Sequence, residues 1–300
     1  MHLHSLILSF AIYSWHPKEG ISLLSYRHSF HAGNFADVLK HIVLVEILEH
    51  MTKKDKPFDY IDTHSGAGLY YLKSSQATKL AEFNNGIGKL EAKKWPELAR
   101  YFEIIGSANR GDALQYYPGS PLFATHFLRP KDRASLYEIH PSDFLLLKKN
   151  IGKKRQVRIQ PEDGIKGLLS LLPPASRRAL VLMDPSYEIK SDYELVSKTI
   201  KSAVKKFATG TYAIWYPVVD RQRINQLERS LVKSGIKDIQ RFELGLSADT
   251  LGSGMTSSGM IVINPPWGLM KKMSEVLPKL VKTLSEGDDA FYKCDILVGE

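Results

Sequence analysis

The sequence is poor in cysteine, since its only thiol among 300 residues is Cys294. A single cysteine excludes intrachain disulfides and any zinc or iron–sulfur site that needs several cysteine ligands. The histidines at positions 28, 31, 41 and 64 lack acidic or cysteine partners at the spacing of metal ligands, so we expect no metal site. The cysteine content fits a reducing compartment, and we therefore expect a cytoplasmic protein.

Long apolar runs are also missing. No stretch approaches the roughly 20 apolar residues that span a bilayer, so we expect no membrane association. The segment from Leu6 to Trp15 has the composition of a signal-peptide core, but no basic residue precedes it and no small-x-small cleavage site follows it. We interpret residues 1–22 as a disordered N-terminal extension and residues 23–300 as the folded domain.

Acidic residues are fewer than basic ones. Lysine and arginine number 41 against 32 aspartates and glutamates, which gives a formal net charge of +9. A basic excess favours a polyanionic partner, although many basic proteins bind no nucleic acid. The basic residues also form clusters, as expected of a surface that follows a phosphate backbone. The largest cluster contains Lys148, Lys149, Lys153, Lys154, Arg155 and Arg158.

An apolar run that ends in an acid organises the chain. Residues 180–183 are apolar and lead directly into the motif Asp184-Pro185-Ser186-Tyr187. Such a run predicts a fully buried strand of a parallel sheet, and Pro185 ends the strand because it cannot donate to the ladder. Asp184 is therefore predicted at the carboxyl end of a strand, where open α/β sheets bind ligands. An acid beside a rigid turn and an aromatic ring can hold the amino group of a planar base.

A second predicted strand, residues 58–62, leads into a glycine-rich turn that contains Gly66. Such a turn lets backbone N–H groups approach a cofactor, and we expect the N-terminus of a following helix to point at the same place. A plain tight turn is the alternative. In nucleotide-binding folds an acid for the ribose hydroxyls follows roughly 20 residues later. The best candidate, Glu138, lies much farther along, so we expect a small helical insertion at about residues 72–117.

Two further polar positions each have two interpretations. Ser120, which precedes Pro121, is either the N-cap of a helix or a hydroxyl that faces a cofactor. Asp163, which precedes Gly164, either caps the next helix or accepts a hydrogen bond from an adenine amino group. Along the whole chain, strands and helices are predicted to alternate, which indicates a doubly wound α/β sheet.

Taken in order, these motifs resemble the S-adenosylmethionine-dependent amino-methyltransferases, whose signature is Asp/Asn-Pro-Pro-Tyr/Phe/Trp. Four further stretches are similar to the family of 23S ribosomal RNA adenine-N6 methyltransferases, which was earlier described as involved in using external DNA as a nutrient. These stretches are 26–34, 36–41, 117–121 and 263–267. The resemblance extends from about residue 24 to the end of the chain.

The resemblance implies a Rossmann-like methyltransferase sheet with the helical insertion, S-adenosylmethionine as cofactor and 23S rRNA as partner, and we expect a monomer. The residues implied at the cofactor are His41, His64, Gly66, Ser120, Glu138, Asp163 and Gly164. Those implied at the RNA substrate are Tyr26, His28 and Lys40. The catalytic residues would be Asp184, Pro185 and Tyr187.

The implied chemistry is methylation of adenine N6. The Asp184 carboxylate and the Pro185 carbonyl would accept the amino hydrogens and return the lone pair to the nitrogen. Tyr187 would stack on a base that has left its helix or loop. Ser186 replaces the second proline of the signature, so we expect a change in rate or base placement. A competing match, Asn264-Pro265-Pro266-Trp267, has no acid, and we interpret it as structural.

Two alternative functions follow from the same residues. One is a DNA adenine-N6 methyltransferase. The other is a catalytically weak nucleic-acid-binding protein linked to the use of external DNA, and Ser186 is the sequence feature that favours it.

Overall fold

The structure, a computed structural model, describes residues 27–111, 113–189, 191–249 and 254–300. The predicted extension at residues 1–22 and the predicted substrate residue Tyr26 lie outside the described residues. The helices are α1 (Phe35–Thr52), α2 (Ser75–Leu80), α3 (Ala99–Ser107), α4 (Ser120–Phe127), α5 (Pro141–Ile151), α6 (Gly164–Leu168), α7 (Asp192–Lys206), α8 (Arg221–Val232) and α9 (Leu269–Leu284). The strands are β1 (Asp59–Asp62), β2 (Leu69–Tyr71), β3 (Tyr116–Pro118), β4 (Arg133–Tyr137), β5 (Val157–Gln160), β6 (Ala179–Met183), β7 (Thr211–Val218), β8 (Ile239–Gly245), β9 (Ser257–Ile263) and β10 (Phe291–Val298).

An eight-stranded mixed sheet forms the centre of the fold, in the order β10-β8-β9-β7-β6-β1-β4-β5. The strands from β7 to β5 are parallel to one another, whereas β9 is antiparallel to both of its neighbours. From β1 the chain builds outward through β4 and β5, and it then crosses back to β6 and β7 on the other side. Open α/β sheets bind ligands in the crevice at such a reversal. The predicted doubly wound α/β fold is confirmed.

Strand β6 shows why the apolar run is apolar throughout. All five of its residues are buried, and it pairs in parallel with β1 on one side and β7 on the other. A parallel strand that is covered on both faces has no solvent-facing positions, so it does not alternate apolar and polar residues. This burial fixes the position of Asp184 at the end of the strand.

Helix α1 is buried more completely than its sequence predicts. It begins after Asn34, whose side chain accepts a hydrogen bond from the backbone N–H of Asp37. The sequence predicts this helix from about Phe35 to Met51 and places Lys40 and His41 at the edge of its apolar stripe, but these two residues are only 3% and 1% exposed. Lys40 and His41 are buried because α1 contacts α3, α4 and α9 as well as β9, so the helix is enclosed on several sides. Polar groups buried in this way must find partners inside the protein.

The structure differs from the prediction at two other places. The glycine-rich turn leads into β2, not into a helix, and β2 pairs with β3 in a separate two-stranded sheet. Helices α2 and α3 lie between these two strands in the chain. The sequence analysis also missed β10, which pairs with β8 at the edge of the large sheet. None of the β10 residues is fully buried, so it lacks the apolar run that identifies a central strand.

Candidate active site

Three acids lie at the carboxyl ends of adjacent parallel strands. Asp62 is the last residue of β1, Glu138 follows β4 and Asp184 follows β6. Because β1 lies between β6 and β4 in the sheet, the three carboxylates line one edge of it. This edge is where the reversal of strand order opens the crevice.

Asp184 forms a buried ion pair that the sequence did not reveal. Lys40 Nζ lies 2.6 Å from Asp184 Oδ2 and 2.8 Å from Asp37 Oδ1. Burial opposes the charge of Lys40, but the two carboxylates outweigh it and raise the pKa of the ammonium. Burial also raises the pKa of Asp184, although Lys40 offsets part of that effect. Asp184 Oδ1 makes no hydrogen bond within the described part of the chain, so it remains available as an acceptor.

Asp37 holds Lys40 in place from within α1. Its Oδ2 accepts a hydrogen bond from the backbone N–H of Gly33 at 2.9 Å and lies 2.8 Å from His28 Nε2. Burial alone would raise the pKa of Asp37, but the neighbouring His28, Lys40 and His41 hold it well below its usual range. His28, a predicted RNA contact, is therefore also part of the network that positions Lys40. Asp37 is not among the site residues predicted from the sequence, because the only sequence feature that marks it is its place one helical turn before Lys40.

The residues after Asp184 form one wall of the site. Tyr187 has a positive φ of 53°, which turns the chain back toward the sheet. Its hydroxyl donates to the carbonyl of Trp215 at 2.9 Å, and its ring lies 4.4 Å from that of Tyr193. Lys40 Nζ lies 5.9 Å from the centre of the Trp215 ring. Trp215 and Tyr193 are thus site residues that sequence analysis missed, because Trp215 reads as an ordinary apolar position within β7.

Asp62 is a fully buried hydrogen-bond acceptor. Its Oδ2 accepts from Tyr60 and Ser120, each at 2.7 Å, and its Oδ1 accepts from the backbone N–H of His64 at 3.2 Å. Burial raises the pKa of Asp62 to about 6 even though these donors offset part of the effect. The N-cap of α4 is Gly119, not Ser120. The Ser120 hydroxyl therefore faces the site, which was one of its two interpretations.

Glu138 supports the glycine-rich turn. Its Oε2 accepts from the backbone N–H of Gly66 at 2.8 Å, and its Oε1 accepts from the backbone N–H of His140 at 2.7 Å. Burial raises the pKa of Glu138 to about 7, because it outweighs these two hydrogen bonds. Each oxygen still has a lone pair for a hydroxyl in the cleft.

The cofactor role that the resemblance implies for Glu138, together with its raised pKa, predicts pH-dependent cofactor binding. A ribose hydroxyl donates more strongly to the ionised carboxylate, and this form is lost as the pH falls through about 7. We therefore expect the dissociation constant of the cofactor, measured by calorimetry, to rise as the pH is lowered from 8 to 6, by up to about tenfold per unit below the pKa. The matched variant Glu138→Gln should bind more weakly at pH 8 and lose most of this dependence. A dissociation constant that does not change with pH in the natural protein would contradict the assignment.

Two histidines lie beside these acids, and His41 is buried whereas His64 is partly buried. His64 Nδ1 lies 2.7 Å from Thr63 Oγ1, and burial lowers the pKa of His64 to about 4. His41 Nδ1 lies 2.9 Å from the hydroxyl of Tyr117, and burial likewise lowers the His41 pKa well below its usual value. His41 Nε2 is buried without a hydrogen-bond partner in the described part of the chain. Both imidazoles are therefore neutral near pH 7, and His41 has a polar atom to offer a ligand.

Asp163 and Gly164 lie at the start of α6. Asp163 Oδ1 accepts from the backbone N–H groups of Ile165 and Lys166, so Asp163 is the N-cap. The charge of Asp163 nevertheless acts on His64, because it favours the protonated imidazole. Burial has the larger effect, so the net pKa of His64 is lowered. A Cβ at Gly164 would lie 2.3 Å from the carbonyl oxygen of Thr63, so only glycine fits.

Two clefts meet at Asp184. The first is lined by residues implied at the cofactor, among them His41, His64, Gly66, Ser120 and Glu138. The second is lined by aromatic and charged residues, among them Tyr187, Tyr193, Asp220 and Arg223. Both clefts share the side chains of His28, Lys40, Asp184, Ser186 and Trp215. The geometry therefore offers two ligand positions that adjoin at one carboxylate.

The competing motif lies elsewhere. Ile263 pairs with Tyr212 at the beginning of β7, so the Asn264 motif is at the opposite edge of the sheet from Asp184. Asn264 Nδ2 donates to the carbonyls of Ala208 and Gly210, each at 2.7 Å. Its side chain fastens a turn and is not directed at a cleft beside the three acids.

The described residues contain neither a metal-binding cluster nor a membrane-spanning helix. No group of three or more His, Cys, Asp or Glu side chains in that part of the chain is arranged to hold a metal ion. Within the same residues, no helix combines the length and apolar character needed to cross a membrane.

Comparisons with known proteins agree with the geometry. A family model described as ribosomal RNA large subunit methyltransferase D, RlmJ, matches residues 55–296. The chain is 51% identical over 265 residues to ribosomal RNA large subunit methyltransferase J of Haemophilus influenzae, covering 87% of this chain and 94% of the relative. It is 49% identical over 260 residues to the protein of the same name from Escherichia coli, covering 86% and 93%.

A solved structure from Legionella pneumophila is similar with a TM-score of 0.83 and 39% identity, covering 89% of this chain and 98% of that one. The family model and the two relatives cover most of the chain. The expectations for the family, the enzyme class and the fold are confirmed, and the chain belongs to the RlmJ family of large-subunit ribosomal RNA methyltransferases.

Proposed function

We propose that the chain transfers the methyl group of S-adenosylmethionine to N6 of an adenosine in 23S rRNA, with Asp184 at the reacting nitrogen. The observation that supports this most is the open Oδ1 of Asp184, which lies beside Pro185 where the two clefts meet. Asp184 Oδ1 and the Pro185 carbonyl are two hydrogen-bond acceptors where the clefts meet, which suits a reaction between two bound molecules. A ribosomal RNA substrate would place the enzyme in the cytoplasm.

The first cleft fits the cofactor. His41 Nε2 is a buried polar atom without a partner in the described residues, and an unsatisfied group of this kind favours a ligand that bonds to it. Glu138 would accept from the ribose hydroxyls, and Gly66, whose backbone N–H donates to Glu138, lies in the wall of the same cleft. Ser120 and His64 would complete the wall. The role implied for Asp163 and Gly164 at the adenine stays a prediction.

The methyl donor supplies an electrophilic carbon on a sulfonium, so this chain needs only to position and activate the nitrogen. The lone pair of adenine N6 is delocalised into the ring, which makes the amino group a poor nucleophile. Asp184 Oδ1 and the Pro185 carbonyl would each accept one amino hydrogen and so draw the nitrogen toward a tetrahedral shape. After transfer, Asp184 or a water molecule takes the proton that N6 loses.

Lys40 keeps Asp184 in the form that this role requires. The ammonium lies 2.6 Å from Oδ2 and favours the ionised carboxylate, so it offsets part of the increase in the Asp184 pKa that burial causes. It also fixes the side chain, so that Oδ1 is held toward the incoming base. Lys40, implied as an RNA contact, is thus better explained as a positioning residue for Asp184.

The second cleft would hold the adenine. The rings of Tyr187, Tyr193 and Trp215 line it, and a base that has left its helix gains stacking energy against such rings. Ser186 lines both clefts, so its replacement of the usual proline acts where the two ligands adjoin.

A tritiated-methyl transfer assay separates the candidate functions. Unmodified 23S rRNA, duplex DNA and single-stranded DNA of equal nucleotide concentration are incubated with enzyme and labelled cofactor. We expect label in RNA only, and nuclease digestion should release it as N6-methyladenosine. Label in DNA alone would contradict the proposal, and absence of label in every nucleic acid despite cofactor binding would indicate a binding protein.

A further inference from the structure

The motif that the active site does not use ends in an unusually exposed aromatic residue. The side chain of Trp267 is 93% exposed, the highest exposure of any large apolar residue in the described chain. Its backbone is nevertheless held on both sides. Asn264 fastens the preceding turn to two carbonyls, and Gly268 begins α9 with a φ of 92°. A solvent-facing indole on a held backbone presents a flat aromatic face that a ligand can cover.

A groove surrounds Trp267, and we name it the Trp267 groove. Its walls come from the last turns of α1 and the first turns of α9, and they include His50, Lys53, Lys271 and Lys272. Burial lowers the pKa of His50, and the positive charges of Lys53, Arg178 and Lys54 lower it further. These basic residues extend the positive charge beyond the groove toward the amino ends of β1 and β6.

Much of this charge is not neutralised internally. Lys53 and Lys271 are exposed and form no ion pair within the described residues. Lys272 Nζ lies 3.4 Å from Oε1 of Glu46, the partly buried acid of the groove, so these two opposite charges offset each other. Glu275 is the other acid that lines it. The groove therefore keeps a basic excess around its aromatic platform.

We propose that the Trp267 groove binds a single-stranded segment of the RNA substrate, with one base stacked on Trp267 and phosphates beside Lys53 and Lys271. An aromatic platform among lysines is the combination that holds single-stranded nucleic acids. Asp184 follows the register pair Met183–Ile214, so it is level with Trp215 and its partner Met260, four residues before Asn264. At the rise of a strand this is roughly 14 Å along the sheet, a distance that a large folded RNA spans readily. The inference rests on the proposed RNA substrate.

The test compares Trp267→Ala with the natural protein and with Tyr292→Ala. Tyr292 is a 44% exposed aromatic residue on β10, paired with Leu244 near the opposite end of the sheet. One measurement is the affinity for fluorescein-labelled dodecauridylate by fluorescence anisotropy. The other is the kinetics of methyl transfer to unmodified 23S rRNA. Calorimetry with the cofactor and thermal unfolding check that each variant is folded.

For Trp267→Ala we expect dodecauridylate affinity to fall roughly 5- to 100-fold, as for loss of one stacked base. The KM for 23S rRNA should rise, while kcat, cofactor affinity and the unfolding temperature stay unchanged. Tyr292→Ala should behave like the natural protein. Unchanged affinity and KM in Trp267→Ala would overturn the inference.

Two further outcomes separate this inference from its alternatives. If sedimentation shows that the natural protein is a dimer and that Trp267→Ala is a monomer, the groove joins two copies of the chain and the inference is overturned. If the natural protein methylates no RNA but Trp267→Ala still weakens dodecauridylate binding, the proposed function fails while the groove stands as a nucleic-acid site.

Discussion

Replacement of Asp184 by alanine is expected to reduce methyl transfer to 23S rRNA by about 10³-fold or more, which corresponds to roughly 4 kcal/mol of activation free energy. The variant loses the carboxylate that we propose accepts an amino hydrogen of the base. Single-turnover rates with saturating labelled cofactor measure this loss directly. Cofactor affinity, measured by calorimetry, should change less than about twofold, because Glu138, the proposed ribose acceptor, and its hydrogen bond from Gly66 are untouched.

The variant should still fold, since Lys40 keeps Asp37 as a partner at 2.8 Å when Asp184 is removed. Thermal unfolding provides that control. The isosteric Asp184→Asn variant keeps one acceptor oxygen but loses the charge, so its rate should lie between those of the alanine variant and the natural protein. Loss of cofactor binding in Asp184→Ala would mean that the carboxylate belongs to the cofactor site and that its catalytic role is misassigned.

Replacement of Lys40 by methionine should reduce transfer at pH 7.5 by about 10²- to 10³-fold. Without the ammonium, burial is no longer offset and the pKa of Asp184 rises further, so the carboxyl is held protonated. A protonated acid has lost its charge and is a weaker acceptor for the amino group. The residual rate should therefore increase with pH, as more of the Asp184 population ionises.

The measurement is the single-turnover rate between pH 6.5 and 9.5. The natural protein keeps Asp184 paired and should show a smaller rise over this range. Lys201→Met is the matched control, because it removes a partly buried ammonium that donates to Ser230 in the contact between α7 and α8. If Lys40→Met has a low rate that does not respond to pH, Lys40 acts by contact with the RNA and does not tune Asp184.

The sequence predicts the framework of the site because its signals are local. The apolar run of β6 followed by Asp184 and Pro185 identifies a buried strand and its end. The glycine-rich turn after β1 and the acid after β4 follow from the same rule, so three strand ends converge by topology alone. The α/β class therefore needs no knowledge of distant contacts.

The rest of the site depends on distant contacts that no local pattern encodes. Lys40 and Asp184 are 144 positions apart, and only the packing of α1 against the sheet brings them to 2.6 Å. The helix pattern predicts Lys40 at the edge of the apolar stripe, whereas neighbouring helices enclose it. Ser120 and Asp62 meet in the same way across 58 positions, and the N-cap interpretation of Ser120 is wrong because Gly119 is the N-cap.

The central claim is that Asp184 and Pro185 hold a nitrogen against the methyl donor. A crystal structure with sinefungin, a cofactor analogue whose amine replaces the transferred methyl group, tests it most directly. We predict that the analogue occupies the cleft of His41 and Glu138, with its amine within about 4 Å of Asp184 Oδ1 or the Pro185 carbonyl. An analogue bound away from the Asp184 side chain would contradict the account.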